Sequence, residues 1–563
     1  MNRRLATVCL FAPLLCLAAS ADDWTRFRGP AGSGVSADSK IPLTWSSAAN
    51  LDWKTALPGP GASSPIIVGD RVLVTCYSGY GLDRNDPGQL ENLVRHLVCI
   101  QLSTGKKLWQ KDVKVVLPED PFTGIGVTAH GYASHTPVTD GKNVYAFFGK
   151  SGVHAFSLAG KKLWEINVGK ESDPAKWGSS SSPIIYKNTV IVTASAESQS
   201  IVGIDRETGQ ELWRQEAKGL DGMWGTPALV QVNKSRTDLV MCVAREIWGL
   251  NPDNGDLRWF AKATNAAQSY ASVVLDGSRA FAVTGRGGGS VAIDVGGQGD
   301  VTESNTIWEG SETASFASPV LHKSRIYVVA SKILKVIDAS NGKVIKQFRL
   351  KGSRSGGRMQ AADYPSPVVA GDHLYYLDGS GQMYVFDIRD QPKQVAMNRI
   401  TMDSETFWGT PAIKDGKLLM RSSKFLYCVK DKGQKAETSP ELLSKADNRP
   451  ATLPAGGGRG GNRFDPAAMF NGMDPNRDGK VTFDELEGNR MADRLKTLDK
   501  DGDQAISRNE FTSGISSLFG RPGGSRSGGS RSGGSRSRGG NDGQGGGKRP
   551  DRPQRPQLEK TDQ

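Results

Sequence analysis

The sequence predicts an all-β fold, an eight-bladed β-propeller closed by an N-terminal strand, followed by a small α-helical domain. Three observations predict it. A short phrase of small residues ending in Ser/Thr-Pro opens a strand again and again. A strand, a Gly turn and a Leu-Trp strand then follow in the same order. The period is nearly constant. The opening phrase is WGTPA in both "DGMWGTPALV" (221–230) and "ETFWGTPAIK" (405–414), with a close variant, "KWGSSSSPII", at 176–185. Taking Pro65, Pro137, Pro183, Pro227, Ser272, Pro319, Pro367 and Pro411 as reference positions, the intervals are 72, 46, 44, 45, 47, 48 and 44. Self-similarity at this period is the signature of a repeat architecture.

The chain opens with a targeting segment. Asn2-Arg3-Arg4 is basic, Leu5 to Ala19 is apolar but short for a bilayer, and Ala19-Ser20-Ala21 has the small-x-small form of a cleavage site. Residues 1–21 therefore read as a signal peptide, and the mature chain as exported to the periplasm or cell surface. Cys16 lacks the small residues a lipoprotein signal needs before its cysteine. No later run of about 20 apolar residues predicts a transmembrane helix.

Residues 22–430 carry the propeller. Each unit has a first strand after the Ser/Thr-Pro phrase, a second rich in Val, Ile, Tyr and Leu, and a third such as "HLVCIQL" or "SIVGIDR". A Gly turn ("STGKK", "LAGKK", "ETGQE", "DNGDL", "SNGKV") leads to a fourth strand, marked by Trp109, Trp164, Trp213, Trp259 and Trp308. Four short strands with turn signals about every 10 residues make a blade. The first interval is long because it holds an insertion, "SGYGLDRNDPGQLENLVR". The eighth unit runs into polar sequence after "KFLYCVKDKG" and lacks a fourth strand, whereas "NLDWKTALPG" near the N-terminus resembles a fourth strand with no first three. Pairing the two completes the ring without an open sheet edge.

Composition narrows the function classes. The formal charge is +12, yet 10 Lys/Arg against 4 Asp/Glu lie between Gly520 and Gln563, so half the excess belongs to that end. Residues 520–563 are Gly/Ser/Arg-rich and predict a disordered basic tail, and 431–463 read as a flexible linker. Nucleic acid is not an expected partner of an exported protein. A protein or a cell-surface polymer is, and a monomer is expected. After cleavage, Cys76, Cys99, Cys242 and Cys428 remain, too few for a disulfide framework. Cys76 and Cys99 could face each other on neighbouring strands or stay free thiols.

Residues 464–519 carry the sharpest motif. In "DPNRDGKVTFDE", Asp474, Asn476 and Asp478 stand at loop positions 1, 3 and 5, with Gly479 at the sharp turn. Lys480 offers its carbonyl, Thr482 follows, and Glu485 closes the set. That is an EF-hand ligand set for Ca²⁺, a hard cation wanting six or more oxygens. "DKDGDQAISRNE" repeats it with Asp499, Asp501, Asp503, Ala505 (carbonyl), Ser507 and Glu510, but with Gln504 at the turn. Phe470/Met473, Leu495/Leu498 and the pair Val481 and Ile506 fall at matching apolar places, which predicts a paired EF-hand domain.

The strand–TG–x–x–x–W rhythm resembles the PQQ-binding-like β-propeller superfamily, which includes quinoprotein alcohol dehydrogenases and BamB-like outer-membrane assembly factors. "WTRFRGPAGSGVS" (24–36) is similar to the start of secreted bacterial members, the planctomycete type especially. For the dehydrogenases the resemblance implies PQQ sandwiched between a Trp and a disulfide of adjacent cysteines, with Ca²⁺ held by acidic and amide side chains and an Asp base. This chain has no adjacent cysteines and no c-type haem motif, so PQQ is not expected. Candidates for the funnel are His130, His135, Asp221, Asp363 and Glu405. The two histidines, five apart in a loop, read as hydrogen-bonding groups before metal ligands. No nucleophile elbow or P-loop occurs. The reading is a non-catalytic binding or assembly scaffold. The alternatives are a calcium-dependent quinoprotein oxidising alcohols or sugars, and a cell-surface carbohydrate-binding protein. Trp177, Trp224 and Trp408, taken as equivalent blade entries, are the cofactor- or ligand-stacking candidates, with an aromatic collar between blades as the structural account. The first-blade insertion and "VLPEDPFTGIGVTAHGYA" are expected to stand above one face.

Overall fold

A computed structural model describes residues 23–124, 126–285, 287–314, 316–350, 364–436, 470, 478–486, 492–518 and 553–559. The chain divides into two compact units, the first holding residues up to 451 together with 550–563, the second 452–549. The expected signal peptide, residues 1–21, lies outside the described residues.

The first unit is a ring of eight antiparallel sheets at 66–114, 138–166, 184–216, 228–262, 274–310, 320–349, 368–399 and 412–430. Blade eight has three strands of its own. Its fourth is Leu51–Ala56, which pairs antiparallel with Phe425–Lys430, as the complementary ends predict. Two sheets carry a fifth strand: Val35–Ser36 lies parallel to Val368–Ala370 on blade seven, and Gly299–Asp300 lies parallel to Leu257–Lys262 on blade four.

The Gly-turn and Trp signals are two halves of one joint. The Trp of one blade's outer strand lies on the Gly turn of the next. A Cβ on Gly105 would come within 2.7 Å of the Trp53 ring, and Gly105 also needs its φ of 74°. The indole then donates across the seam: Trp53 Nε1 to Leu102 O (2.9 Å), Trp109 to Leu158 O (3.1 Å), Trp164 to Arg206 O (3.0 Å) and Trp308 to Ala339 O (2.9 Å). Trp259 departs, donating instead to Asp238 Oδ2 within its own blade. Apolar faces of adjacent sheets bury each other between these joints.

Around the axis the blades are laced by hydroxyls. The amide of Ser64 donates to Thr136 Oγ1, Thr136 to Ser182 Oγ, Ser182 to Thr226 Oγ1, and Thr226 to Ser272 Oγ. Ser272 donates to Ser318 Oγ, Ser318 to Ser366 Oγ, Ser366 to Thr410 Oγ1, and Thr410 back to Ser64 Oγ, all at 2.9–3.0 Å. This closed cycle corrects the repeat register. Ser272 is the hydroxyl residue of blade five, equivalent to Thr226 and not to Pro227, so Val273 stands where the other blades have Pro.

Cys76 and Cys99 do not face each other. Cys76 is opposite His96 and Cys99 opposite Leu73, and all four described cysteines are buried free thiols. The expected linker begins later than 430, since Lys432 N donates to Asn50 Oδ1 and Asn50 N to Gln434 Oε1. The tail is also corrected at one stretch: 553–559 pack on blade four. In the second unit, Lys480–Thr482 pairs antiparallel with Ala505–Ser507. Val481 sits opposite Ile506, in a core with Phe470, Leu486, Leu495, Leu498 and Phe511.

Replacing Thr226 by the isosteric Val leaves the buried Ser182 N–H without an acceptor. We expect urea denaturation to report a loss of about 1–3 kcal/mol.

Candidate functional site

The ring encloses a central cavity of about 140 Å³. All eight laced hydroxyl residues line it, and so does the residue two places before each of them: Ala62, Ser134, Ser180, Trp224, Tyr270, Phe316, Tyr364 and Trp408. WGTPA can now be read position by position. The Trp lines the cavity. The Gly is forced, since a Cβ on Gly225 would lie 2.7 Å from Ala271 O and one on Gly409 2.7 Å from Ser63 O. The Thr joins the hydroxyl cycle, the Pro precedes the inner strand, and Ala228 and Ala412 are buried.

The aromatics form one continuous arc. Ring centroids lie 5.8 Å apart for Trp177–Trp224, 5.0 Å for Trp224–Tyr270 and 5.0 Å for Tyr270–Phe316. Phe316–Tyr364 follows at 4.7 Å and Tyr364–Trp408 at 6.2 Å. Trp224 and Tyr270 are nearly parallel, as are Phe316 and Tyr364, so each covers a face of its neighbour. Trp177 is not at the equivalent position, which Ser180 occupies. A turn brings it in: Asp173 Oδ2 accepts from the amides of Trp177 and Gly178, and Trp224 Nε1 donates to Gly178 O. Two donors in the arc, Tyr364 Oη and Trp408 Nε1, are buried and have no acceptor among the described residues.

The first three blades have small entry residues, and the loop between blades one and two fills that side. Its short helix, Val127–His130, puts Ala129 and His130 on the cavity wall. A Cβ on Gly126 would sit 2.7 Å from Trp177 Cα, which measures how tightly the loop closes. His130 Nδ1 meets Ser134 Oγ at 2.6 Å and Nε2 meets Trp177 O at 2.7 Å. Two buried ion pairs tie the loop down, Glu119 to Arg95 of blade one and Asp120 to Lys150 beside blade two. The first-blade insertion packs with it through Tyr77, Tyr80, Leu93, Phe122, Val127 and Tyr132.

Beneath the loop, Ser179 Oγ lies 2.9 Å from His135 Nε2 and 2.6 Å from Glu197 Oε1. Burial, backed by the charges of His130 and Arg95, pushes the His135 imidazole down to about 3, so it is neutral at ordinary pH. With the neutral imidazole accepting at Nε2 and Glu197 ionised, the single Ser179 proton faces two acceptors. One more proton completes the trio. Burial raises the Glu197 carboxyl to about 7, and its Oε2 has no partner, so Glu197 holds that proton at acidic pH.

Of the other funnel candidates, Glu405 is turned into blade eight, accepting from Tyr427 Oη, and Asp221 does not line the cavity. Asp363 lies outside the described residues. Among the described residues the wall holds hydroxyls, the arc, Phe27 and His130, with no carboxylate, carboxamide or thiol. A calcium–quinone centre needs acidic and amide ligands, and this donor set does not fit one. The hydroxyl cycle and the orphaned donors escaped sequence reasoning. Only the Ser or Thr two residues after each aromatic signalled the former.

In the second unit the Asp499, Asp501 and Asp503 carboxylates lie within 4.8 Å of one another. Gln504 takes the left-handed φ of 63° that Gly479 takes at 86°, at a cost of about 1 kcal/mol. Glu485 Oε2 accepts from Thr482 N, and Glu510 Oε2 from Ser507 N. Asp478, Lys480, Thr482 and Ala505 stand on or beside the paired loops. Asp474 and Asn476 lie outside the described residues.

The family of the outer membrane protein assembly factor BamB matches residues 44–246 and 95–348, together more than half the chain. No curated protein matches it. Among solved structures, a europium-containing methanol dehydrogenase is similar at 12% identity with a TM-score of 0.50, over 71% of this chain and 89% of that one. BamB from Moraxella catarrhalis has 12% identity and a TM-score of 0.48, over 69% and 99%. Quinohemoprotein alcohol dehydrogenase from Comamonas testosteroni has 12% and 0.49, over 80% and 84%.

Glu197 makes stability pH-dependent. Its folded value is raised above the ordinary 4.5, so its contribution is fully present below 4.5 and is lost as pH rises through about 7. Glu197→Gln should flatten that slope and gain up to about 3 kcal/mol over wild type at pH 8, read from urea midpoints.

Proposed function

The chain belongs to the family of the outer membrane protein assembly factor BamB, and from that premise we propose that it is an exported, non-catalytic binding and assembly protein whose recognition surface is the aromatic mouth of its channel. The observation that carries this reading is a pair of donors unpartnered among the described residues, Tyr364 Oη and Trp408 Nε1, on neighbouring rings that line the cavity. A buried donor without an acceptor costs about 1–3 kcal/mol, and an oxygen brought by a ligand or by water recovers it. An aromatic arc with two free donors over a ring of hydroxyls suits an oxygen-rich group, above all a sugar unit of a cell-surface polymer. A main-chain carbonyl of a protein partner offers the same chemistry. No described helix is long and apolar enough to cross a membrane.

A quinoprotein dehydrogenase is the alternative that the fold admits. Among the described residues the cavity wall offers no acidic or amide ligand for calcium beside a quinone, which weighs against it. Reconstitution with PQQ and Ca²⁺ separates the two, since quinone absorbance retained by the protein with alcohol-dependent dye reduction would displace the binding reading.

We expect cell-surface oligosaccharides to change the intrinsic tryptophan fluorescence saturably, and Trp408→Ala to weaken binding about tenfold. A panel that gives no saturable change, or a Trp408→Ala chain that binds equally well, sinks the proposal.

We also propose a calcium-binding role for the second unit, with Asp474, Asn476, Asp478, Lys480, Thr482 and Glu485 as ligands in one loop and Asp499, Asp501, Asp503, Ala505, Ser507 and Glu510 in the other. Three carboxylates gathered within 4.8 Å repel one another, and a hard divalent cation relieves that repulsion. Outside the cell, where Ca²⁺ is abundant, it would act as a structural ion. Titrating the full chain with Ca²⁺ should raise helicity and the melting temperature of this unit. No response at millimolar Ca²⁺ would end the calcium reading.

A further inference from the structure

Blade four differs from the others along its outer edge. In the fourth strands of blades one, two, three and five, the residue before the bulge is Lys107, Lys162, Glu211 or Thr306, and the one after the Trp is Gln110, Glu165, Arg214 or Glu309. In blade four the same two places hold Leu257 and Phe260, which are 0% and 8% exposed. An outer edge normally faces water, so two buried apolar residues there imply a cover.

Gly299–Asp300 pairs with Trp259 and Phe260 along one half of this edge, and the far end of the same chain covers the other half at Leu257 and lies over the Phe260 ring. Leu558 bridges Leu257 in parallel, Leu257 N donates to Gln557 O (3.0 Å), and Glu559 N donates to Leu257 O (2.9 Å). One turn away, Gly219 N donates to Gln554 O at 2.9 Å, and a Cβ there would meet both Gln554 O and Pro553 Cβ at 2.9 Å. Two charged side chains fix the register. Arg555 lies 3.4 Å over the Phe260 ring and grips Glu246 with two bonds, Nε to Oε2 (2.7 Å) and Nη2 to Oε1 (2.5 Å). Glu246 is held from behind by Trp248 Nε1 at 2.9 Å. Four residues on, Glu559 accepts from Arg258 Nε (3.1 Å) and Asn251 Nδ2 (2.8 Å). Arg258 is itself oriented by Asp238. A planar guanidinium on a carboxylate and a ring is a specific contact that a lysine could not reproduce.

We propose that the outer edge of blade four is a peptide-binding site for an extended segment carrying an arginine and, four residues later, a glutamate, and that Pro553–Glu559 is its resident ligand. Main-chain bonds to Leu257 supply strand addition, the bond from Gly219 in the turn between blades three and four anchors the upstream end, and the Arg555 and Glu559 clamps supply sequence choice. Release of the clasp would bare Glu246 and Phe260 to a matching segment of another protein.

Amide hydrogen exchange on the full chain tests this. The amides of Gly219, Leu257 and Glu559 should be protected in wild type. Arg555→Glu, which sets like charge on Glu246 without touching the propeller, should speed their exchange about tenfold or more and leave inner-strand amides such as Val240 unchanged. A peptide of residues 550–563 added to that variant should restore protection at Gly219 and Leu257, and the same peptide with Arg555→Glu should not. Equal exchange in wild type and variant, or a peptide that restores nothing, would overturn the site. Protection that falls on dilution would assign the segment to a second copy and overturn its role as resident ligand.

Discussion

Closure of the ring is the constraint on which everything else in this molecule depends. Blade eight reaches the sequence with three strands, and Leu51–Ala56 supplies the fourth. That one pairing sets Trp53 on the Gly105 turn of blade one and brings Thr410 within reach of Ser64, so the indole joint and the hydroxyl cycle both close through it. A ring satisfies each blade's two faces only if the last blade meets the first. The inner hydroxyl cycle works because each acceptor is held by a strand start that its own neighbour has already placed.

The site arises where the eightfold pattern breaks. Five entries carry a large aromatic and three carry Ala62, Ser134 and Ser180. The vacant side admits the loop that brings His130 to the wall and holds Trp177 at the end of the arc. Two buried ion pairs anchor that loop. A pair of buried charges is costly to desolvate, and removing either partner is costlier still, so such pairs favour one fixed position. Blade four breaks the pattern at its rim instead, trading polar edge residues for Leu257 and Phe260 beneath the returning chain end.

The family match and the eight sheets agree with what the repeat implied, and they leave the role of the ring open, because one architecture carries assembly factors and dehydrogenases alike. The proposed binding role rests on the chemistry of the wall among the described residues. Hydroxyls already engaged with backbone amides, stacked rings and a histidine bonded at both nitrogens give little to hold a metal. The proposal of an oxygen-bearing ligand rests on the two donors, Tyr364 Oη and Trp408 Nε1.

Much was legible in the sequence for a physical reason. Repeat period, turn glycines, Ser/Thr-Pro entries and complementary ends are local or additive features, and the blade count and the closing strand follow from them without knowing any angle. The one-residue slip at Ser272 shows the limit, since only the hydroxyl cycle tells a missing proline from a shifted one. Trp177 looked equivalent to Trp224 because both precede Gly, yet it reaches the arc through a turn set by Asp173. A composition rich in Gly, Ser and Arg hid the seven residues that clasp blade four, because seven residues cannot announce a partner some 300 positions away. The sequence by itself determined the blades, the order of the ring and the two acidic loops. Tertiary structure alone decided which aromatics meet, which donors are left idle and where the chain end returns, because those depend on side chains far apart in sequence arriving at the same place.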